Sequence, residues 1–119
     1  MLLQEILKIL SDTNRLRILN LLNQEELCVC EIEYVLGLSQ SNLSKHLSNM
    51  SKLEVVEMRR ENKFAFYKIS SAFIKQYDFI AEVLDLLVEE EPFKTDYQNY
   101  KAYKKSDLSC ACLSNKRMK

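Results

Sequence analysis

Only one glycine and one proline occur among the 119 residues, and this shortage of turn-forming residues is the strongest constraint on the fold. Sandwiches and barrels of β-strands need many tight turns, which depend on glycine, proline and asparagine. The length suits one domain, and 47% hydrophobic with 29% charged residues is the balance of an ordinary globular protein. We therefore expect a mainly α-helical domain with few sharp corners.

Hydrophobic residues recur at helical spacing through the first half of the chain and predict four successive helices. The third helix is expected to end at Gly37, because glycine readily adopts the left-handed conformation that terminates helices. Ser39 follows as a good N-cap for the fourth helix. Two short helices joined by so brief a connection are typical of a helix-turn-helix.

A short β-hairpin is predicted directly after this helix-turn-helix. Residues 55–60 and 64–69 read as two strands, with a polar connection between them. Asn62 in that connection tolerates positive φ, so the turn can close without glycine. The place of the hairpin in the chain makes it a candidate wing.

One more long helix is predicted, from Ser70 or Ser71 to near Pro92, on the strength of a single apolar stripe. The segment beyond it is polar, rich in tyrosine and lysine, and weakly periodic. We expect a winged helix-turn-helix domain, mainly α with a small β-hairpin, over residues 1–92. Residues 93–119 are expected to be a partly disordered tail.

The charge pattern favours DNA binding even though the net charge is zero. Seventeen basic and seventeen acidic residues at first argue against a nucleic-acid-binding protein. However, residues 39–70 carry six basic and three acidic side chains, net +3, and residues 71–99 carry two basic and seven acidic, net −5. Each basic side chain that meets a phosphate releases counterions, so the local charge matters more for DNA binding than the net charge of the chain.

Candidate DNA-contacting residues lie on the fourth helix and at the hairpin tip. A recognition helix needs short hydroxyl and amide side chains near its N-terminal end to reach base edges and phosphates. A basic hairpin tip reaches the backbone or the minor groove beside it. The predicted contacts are Ser39, Gln40, Ser41, Asn42, Ser44, Lys45 and His46 on the helix, and Arg59, Arg60, Asn62 and Lys63 on the hairpin.

Four cysteines form two C-x-C pairs, Cys28 with Cys30 and Cys110 with Cys112. No apolar run is long enough to span a bilayer and the N-terminus does not resemble a signal peptide, so we expect a cytoplasmic protein with reduced thiols. In that compartment, paired thiols more often hold a metal or perform redox chemistry than form a disulfide framework. Side chains two apart in a regular helix point about 200° apart, so one pair shares an ion only at a non-helical turn.

The chain resembles the ArsR/SmtB family of winged-helix metalloregulatory repressors over residues 1–90. The resemblance rests on residues 14–19 (NRLRIL), 26–32 (ELCVCEI) and 39–47 (SQSNLSKHL), with Phe66-Tyr67 in the hairpin. It implies a homodimer that binds operator DNA without ligand and releases it when a metal or metalloid binds. No enzyme is expected, because no phosphate loop or nucleophile–base pair is visible.

The inducer implied is a thiophilic ion held by Cys28, Cys30, Cys110 and Cys112. Soft ions take three or four sulfur ligands, which suits arsenite first and cadmium, lead or zinc as alternatives. The tail is long enough to reach a shared site in its own subunit or in the partner, and both stay open.

Two features depart from the family patterns. Arsenic-responsive members often carry a third cysteine where this chain has Glu33, so a purely local three-sulfur site is missing. The last predicted helix has no histidine, since His46 is the only one in the chain, and a zinc site there is not expected.

Apolar residues on the first and last helices exceed what a small core can cover, so a homodimer is expected. A twofold dimer places two recognition helices about one DNA turn apart, which implies an imperfect palindromic operator. Two other functions stay open: a redox-sensing repressor of the same fold, in which the C-x-C pairs form disulfides, and a winged-helix module that binds protein.

Overall fold

A computed structural model describes residues 3–109 of the chain. These residues form seven helices and one three-stranded antiparallel sheet, so the prediction of a mainly α fold with a small β-hairpin is confirmed. Over residues 3–109, no helix combines the length and the apolar character needed to cross a membrane. The elements are α1 (Leu3–Leu10), α2 (Thr13–Leu22), β1 (Leu27–Cys28), α3 (Val29–Leu36), α4 (Gln40–Lys52), β2 (Val56–Glu61), β3 (Phe64–Ile69), α5 (Ser71–Gln76), α6 (Phe79–Leu87) and α7 (Phe93–Lys105).

Local capping signals define the helix-turn-helix formed by α3 and α4. Gly37 ends α3 in the left-handed conformation, with φ 70°, as its position predicted. The Ser39 side chain caps α4 by accepting a hydrogen bond from the Asn42 N–H at 3.3 Å. The turn between the two helices therefore follows from residues within a few positions of it.

The hairpin of β2 and β3 closes through Asn62, which has φ 57° as predicted. The third strand, β1, was not predicted, because two residues are too few to show a strand pattern. It pairs with β3, with Leu27 opposite Tyr67 and Cys28 opposite Phe66. The strand order β1-β3-β2 therefore connects the first cysteine directly to the wing.

One hydrophobic core lies under the helix-turn-helix, the sheet and the flanking helices. Helices α1, α2, α3, α4 and α6 all contribute side chains to it that are buried from solvent. The most fully buried members include Ile6, Ile18, Leu19, Ile32, Leu43, Leu47, Met50, Ile80 and Leu84.

The prediction of one long helix after the hairpin is wrong, because the chain leaves helical geometry at Tyr77, with φ −126° and ψ 66°. The break separates α5 from α6. It lets the Tyr77 ring contact Phe73 and Phe79, with ring centroids 5.7 and 6.5 Å apart. The apolar stripe continues across the break, so periodicity alone does not reveal it.

Residues 93–105 differ from the partly disordered tail that the sequence predicted, because they form the packed helix α7. Phe93, Asp96 and Tyr103 are buried on its inner face, against α2 and α3. The rest of the helix is polar, which is why its composition resembled a tail. The second cysteine pair, Cys110 and Cys112, lies outside the described residues.

A charged contact joins α7 to the helix-turn-helix. The Arg17 guanidinium donates to both carboxylate oxygens of Asp96, from Nε at 2.8 Å and from Nη2 at 2.9 Å. Nη2 also donates to the Leu36 carbonyl at 2.7 Å, at the end of α3. The side chains of Arg17 and Asp96 are 18% and 4% exposed, and the hydrogen bond that Arg17 donates to Asp96 raises the pKa of Arg17. One side chain of α2 therefore connects α3 with α7.

Replacing Arg17 by methionine should lower the free energy of unfolding by about 3 kcal/mol, because the Asp96 carboxylate would stay buried without its cation. Replacing both partners, as Arg17→Met with Asp96→Leu, should recover most of that loss, since no buried charge remains. Urea unfolding of both variants measures the difference. A double variant as unstable as the single one would contradict this account of the contact.

Candidate DNA-binding surface and thiol site

The outer face of α4 presents the polar side chains that the sequence assigned to DNA contact. Leu43, Leu47 and Met50 face the core, so the opposite side of the helix faces solvent. The helix carries two lysines and no acidic residue. Six of the predicted DNA-contacting residues on α4 and its N-cap are exposed: Ser39, Gln40, Ser41, Asn42, Ser44 and Lys45.

His46 lies differently from the other predicted residues of α4. Its side chain is 15% exposed, and Nε2 is 4.0 Å from Oδ2 of Asp12, the N-cap of α2. Its Nδ1 is buried, with no hydrogen-bond partner among residues 3–109. The geometry places this imidazole between α4 and the start of α2, where it packs the recognition helix against the domain.

Arg59 on the wing is engaged with neighbouring side chains. Its guanidinium lies 2.7 Å from Oε1 of Glu26 and 3.3 Å from Oε2 of Glu61, and it stacks 4.5 Å from the Phe66 ring centroid. The hydrogen bond to Glu26 raises the pKa of Arg59. The predicted DNA contact at this position therefore points toward Glu26, the residue before β1.

The hairpin tip keeps its other predicted contacts exposed. Arg60, Asn62 and Lys63 are all exposed, and the Lys63 ammonium lies 5.5 Å from the ring centroid of Phe64. Arg60 and Lys63 form no ion pair among the described residues. These two cations are placed to meet phosphates beside a groove that holds α4.

The first cysteine pair spans the junction between β1 and α3. Cys28 ends the strand in an extended conformation, with φ −83° and ψ 164°, and is the N-cap of α3. Its side chain is 1% exposed, and Cys30 is partly buried in the first turn of the helix. The non-helical arrangement that a shared ion requires is therefore present at Cys28.

The oxidation states of the two cysteines differ. Cys28 is disulfide-bonded, whereas Cys30 is a free thiol. Within the same residues, no cluster of three or more histidine, cysteine, aspartate or glutamate side chains has a geometry suited to a metal ion. A metal held by this pair would need further ligands from the rest of the chain or from a partner.

Glu31 connects the thiol site with α7. Its Oε1 accepts a hydrogen bond from the Cys28 N–H at 3.0 Å, and its Oε2 accepts one from the Tyr103 hydroxyl. Next to it, the Lys104 ammonium is 2.8 Å from Oε1 of Glu25. Burial, with Glu25 nearby, raises the pKa of Tyr100 to about 12. The C-terminal end of α7 therefore lies against the N-terminal end of α3.

Sequence reasoning missed Glu31, Asp96 and Tyr103 as members of this site. Glu31 had a local signal, since it stands three residues after Cys28, the spacing of a capping box. Asp96 and Tyr103 had none, because their partners lie 79 and 72 positions away in the chain.

A helix-turn-helix with an exposed polar second helix, followed by a basic β-hairpin, defines a winged helix-turn-helix DNA-binding domain. The family model described as "Bacterial regulatory protein, arsR family" matches residues 12–58. The arsenical resistance operon repressor of Staphylococcus xylosus is 32% identical over 114 residues, which cover 96% of this chain and 91% of that protein. The chain belongs to the arsR family of bacterial regulatory proteins and is a DNA-binding transcriptional regulator, not an enzyme.

Two further comparisons agree with this assignment. The cadmium resistance transcriptional regulatory protein CadC of Listeria innocua is 42% identical over 65 residues, 54% of this chain, and the match spans about half of that protein, 55%. The homodimeric winged helix-turn-helix DNA-binding domain of Mb0332 from Mycobacterium bovis superposes with a TM-score of 0.57 at 29% identity. That match covers 71% of this chain and 80% of the other.

The two neighbouring arginines of the wing should differ in their effect on DNA affinity. Arg60→Ala should reduce the slope of log affinity against log salt by about 1, because an exposed cation that meets a phosphate releases one counterion. Arg59→Ala should leave the slope nearly unchanged, because its charge is paired with Glu26. Fluorescence anisotropy on a short generic duplex at several salt concentrations measures both slopes. Equal slopes for the two variants would show that Arg59 leaves Glu26 to bind phosphate.

Proposed function

We propose that the protein is a metal- or metalloid-responsive repressor that binds operator DNA as a homodimer and releases it when a thiophilic ion binds its cysteine thiolates. The observation that carries the proposal is the position of Cys28 and Cys30 at the start of α3, the first helix of the helix-turn-helix. A helix N-terminus also favours the thiolate form that soft ions require.

The second cysteine pair is proposed to complete the site in the same subunit. Helix α7 returns the chain to the start of α3, and Leu108, beyond its end, packs against the core. Cys110 and Cys112 follow Leu108 by two and four positions in the sequence. Arsenite would take three of the four sulfurs, and cadmium, lead or zinc could take all four.

The names of the relatives support a thiophilic inducer. One is an arsenical resistance operon repressor and another a cadmium resistance regulatory protein. The fit with both ions follows from the chemistry of sulfur ligands, which suit soft cations and arsenite alike.

Cys28 is connected to both parts of the DNA-binding surface. Its backbone caps α3, which leads through Gly37 into α4, and its strand pairs with Phe66 in the wing. An ion that draws the sulfurs of Cys28 and Cys30 together would therefore move the start of α3 and the edge of β3 at once. Such a coupling between two sites is the physical content of allosteric release.

Exposed apolar side chains support the homodimer. Leu3 and Leu7 on α1 are 51% and 52% exposed, and Leu86 on α6 is 74% exposed. A twofold dimer formed through these helices would present two recognition helices to an imperfect palindrome. A regulator of operator DNA in bacteria would act in the cytoplasm.

The disulfide at Cys28 favours a second candidate, a repressor of the same fold that is switched by oxidation. In that case two thiols would lose two electrons and two protons to an oxidant such as peroxide, and a sulfur–sulfur bond would form. The oxidised pair would then take the place of the bound ion.

Cadmium titration of the reduced protein should produce sulfur-to-metal charge-transfer absorption and should lower DNA affinity by at least about tenfold. Cys28→Ser and Cys30→Ser should abolish both effects. Removal of residues 110–119 should weaken ion binding, whereas removal of residues 113–119, which keeps all four cysteines, should not. Ultraviolet absorption and anisotropy on operator-containing DNA measure the two responses.

Peroxide under matched conditions distinguishes the two candidates. A protein that releases DNA with peroxide and not with cadmium or arsenite would support the redox switch. Full ion response in Cys28→Ser would contradict the thiol site altogether.

A further inference from the structure

The solvent-facing side of α7 carries only positive charge. The helix has four lysines and a single carboxylate, Asp96, which is buried and bonded to Arg17. All four lysines are exposed, as are the neutral polar side chains of Thr95, Gln98 and Asn99. The outer face of α4 has the same composition, with lysines, amides and hydroxyls and no acidic residue.

Three residues of α7 form one exposed stripe, which consists of Gln98, Lys101 and Lys105. They are three and four positions apart, so they lie on the same side of the helix, opposite the buried Asp96 and Tyr103. The two lysines are one turn apart, which is about 6 Å along the helix axis. Neither of them forms an ion pair among the described residues.

The stripe is held on a firmly packed helix. The Lys101 ammonium lies 4.8 Å from the ring centroid of Tyr97, which stacks on Tyr100 with centroids 6.2 Å apart. Beneath them Tyr103 is 4% exposed, and Tyr100 and Leu108 pack against the same core. A ligand that binds this face would therefore have little backbone to order, which lowers the entropic cost of binding.

Helix α7 lies along α3, the first helix of the helix-turn-helix. Asp96 is connected to the C-terminal end of α3 through Arg17, which donates to the Leu36 carbonyl. Tyr103 donates to Glu31 in the first turn of α3. In helix-turn-helix domains the first helix crosses the sugar-phosphate backbone while the second enters the major groove. Helix α7 therefore runs beside the element that is expected to cross the backbone.

The C-terminal end of α7 also lies close to the wing. Lys104 pairs with Glu25 at 2.8 Å, and Arg59 of the wing pairs with Glu26 at 2.7 Å. Consecutive Cα atoms are only about 3.8 Å apart, so α7 and the wing are attached to adjacent residues. The stripe that ends at Lys105 therefore extends the basic surface that begins on the wing.

We propose that Gln98, Lys101 and Lys105 form a second DNA contact, which binds phosphates of the backbone beyond the groove that α4 occupies. Two flexible ammonium groups and an amide suit phosphate oxygens, which carry no sequence information, so the contact raises affinity for DNA of any sequence. This inference rests on the DNA binding of the family and goes beyond the proposed ion response, because it involves none of the cysteines.

Replacing both lysines by glutamine tests the contact, because the exposed charges are removed and the core of the domain is untouched. In the reduced, ion-free protein, Lys101→Gln with Lys105→Gln should lower the slope of log affinity against log salt by about 2, one for each lysine. At low salt its affinity for a generic duplex should fall by at least about tenfold. Fluorescence anisotropy at several salt concentrations measures both quantities.

Two further double variants serve as controls. Lys101→Arg with Lys105→Arg keeps both charges and should keep the slope. Lys75→Gln with Lys94→Gln makes the same change in net charge within the acidic segment 71–99, and it should leave the slope unchanged.

Each outcome decides the proposal. An unchanged slope in the glutamine variant, with salt-dependent binding by the wild type, would overturn the α7 contact and leave the proposed ion response standing. An equal loss of slope in the control at residues 75 and 94 would show that only the total charge matters, and would also overturn it. A glutamine variant that keeps the slope but sediments as a smaller species would assign the stripe to an acidic surface of a second copy instead of DNA.

Hydroxyl-radical footprinting on operator-containing DNA locates the contact independently. The wild type should protect backbone positions that flank those covered by α4 and the wing. The glutamine variant should lose only the flanking protection. A wild type without flanking protection, or a variant that retains it, would contradict a backbone contact by α7.

Discussion

The contact of Arg17 with Asp96 and the Leu36 carbonyl is the interaction on which the arrangement of the helices depends. A planar guanidinium can satisfy both oxygens of a buried carboxylate while it still donates to a third acceptor. A lysine, with one compact charge, would not match that geometry. Because the third acceptor ends α3, the contact also sets the start of the turn that leads to the recognition helix. The buried Arg17–Asp96 contact therefore helps to set the direction in which α4 leaves the turn.

The basic side chains divide into two groups, and this division explains how a chain without net charge binds DNA. Arg17, Arg59 and Lys104 are paired with carboxylates of the domain. Lys45 and Lys63, in contrast, are exposed and form no ion pair among the described residues. Since phosphate contacts depend on local charge, we expect the second group to contribute more to DNA affinity than the first. Four of the seventeen acidic residues, Glu25, Glu26, Glu61 and Asp96, pair with the first group.

The sequence predicted the parts of the fold whose signals are local. Gly37 and Asn62 mark two of the left-handed positions, and the C-x-C pair implied a non-helical turn if its sulfurs were to share an ion. It failed where the decisive contact is distant in the chain. Helix α7 looks like a polar tail until Asp96 is matched with its partner, and nothing near Arg59 in the sequence indicates that Glu26 lies beside it. The amino-acid sequence gives no sign of the pairing of Asp96 with Arg17 or of Arg59 with Glu26.

The junction at Cys28 brings strand pairing, helix capping and the end of α7 to one residue, and the energies involved are suited to a switch. The N-cap interactions of a helix contribute about 1 kcal/mol, and a hydrogen bond to a charged carboxylate contributes about 1.5–3 kcal/mol. Allosteric coupling between two binding sites typically amounts to about 1–3 kcal/mol. The Glu31 carboxylate accepts hydrogen bonds from both the Cys28 N–H and Tyr103. The free energy of rearranging this carboxylate is therefore similar in size to a typical coupling energy. The proposed release of DNA therefore needs no large motion, because a shift of the start of α3 would alter the surface that α4 and the wing present together.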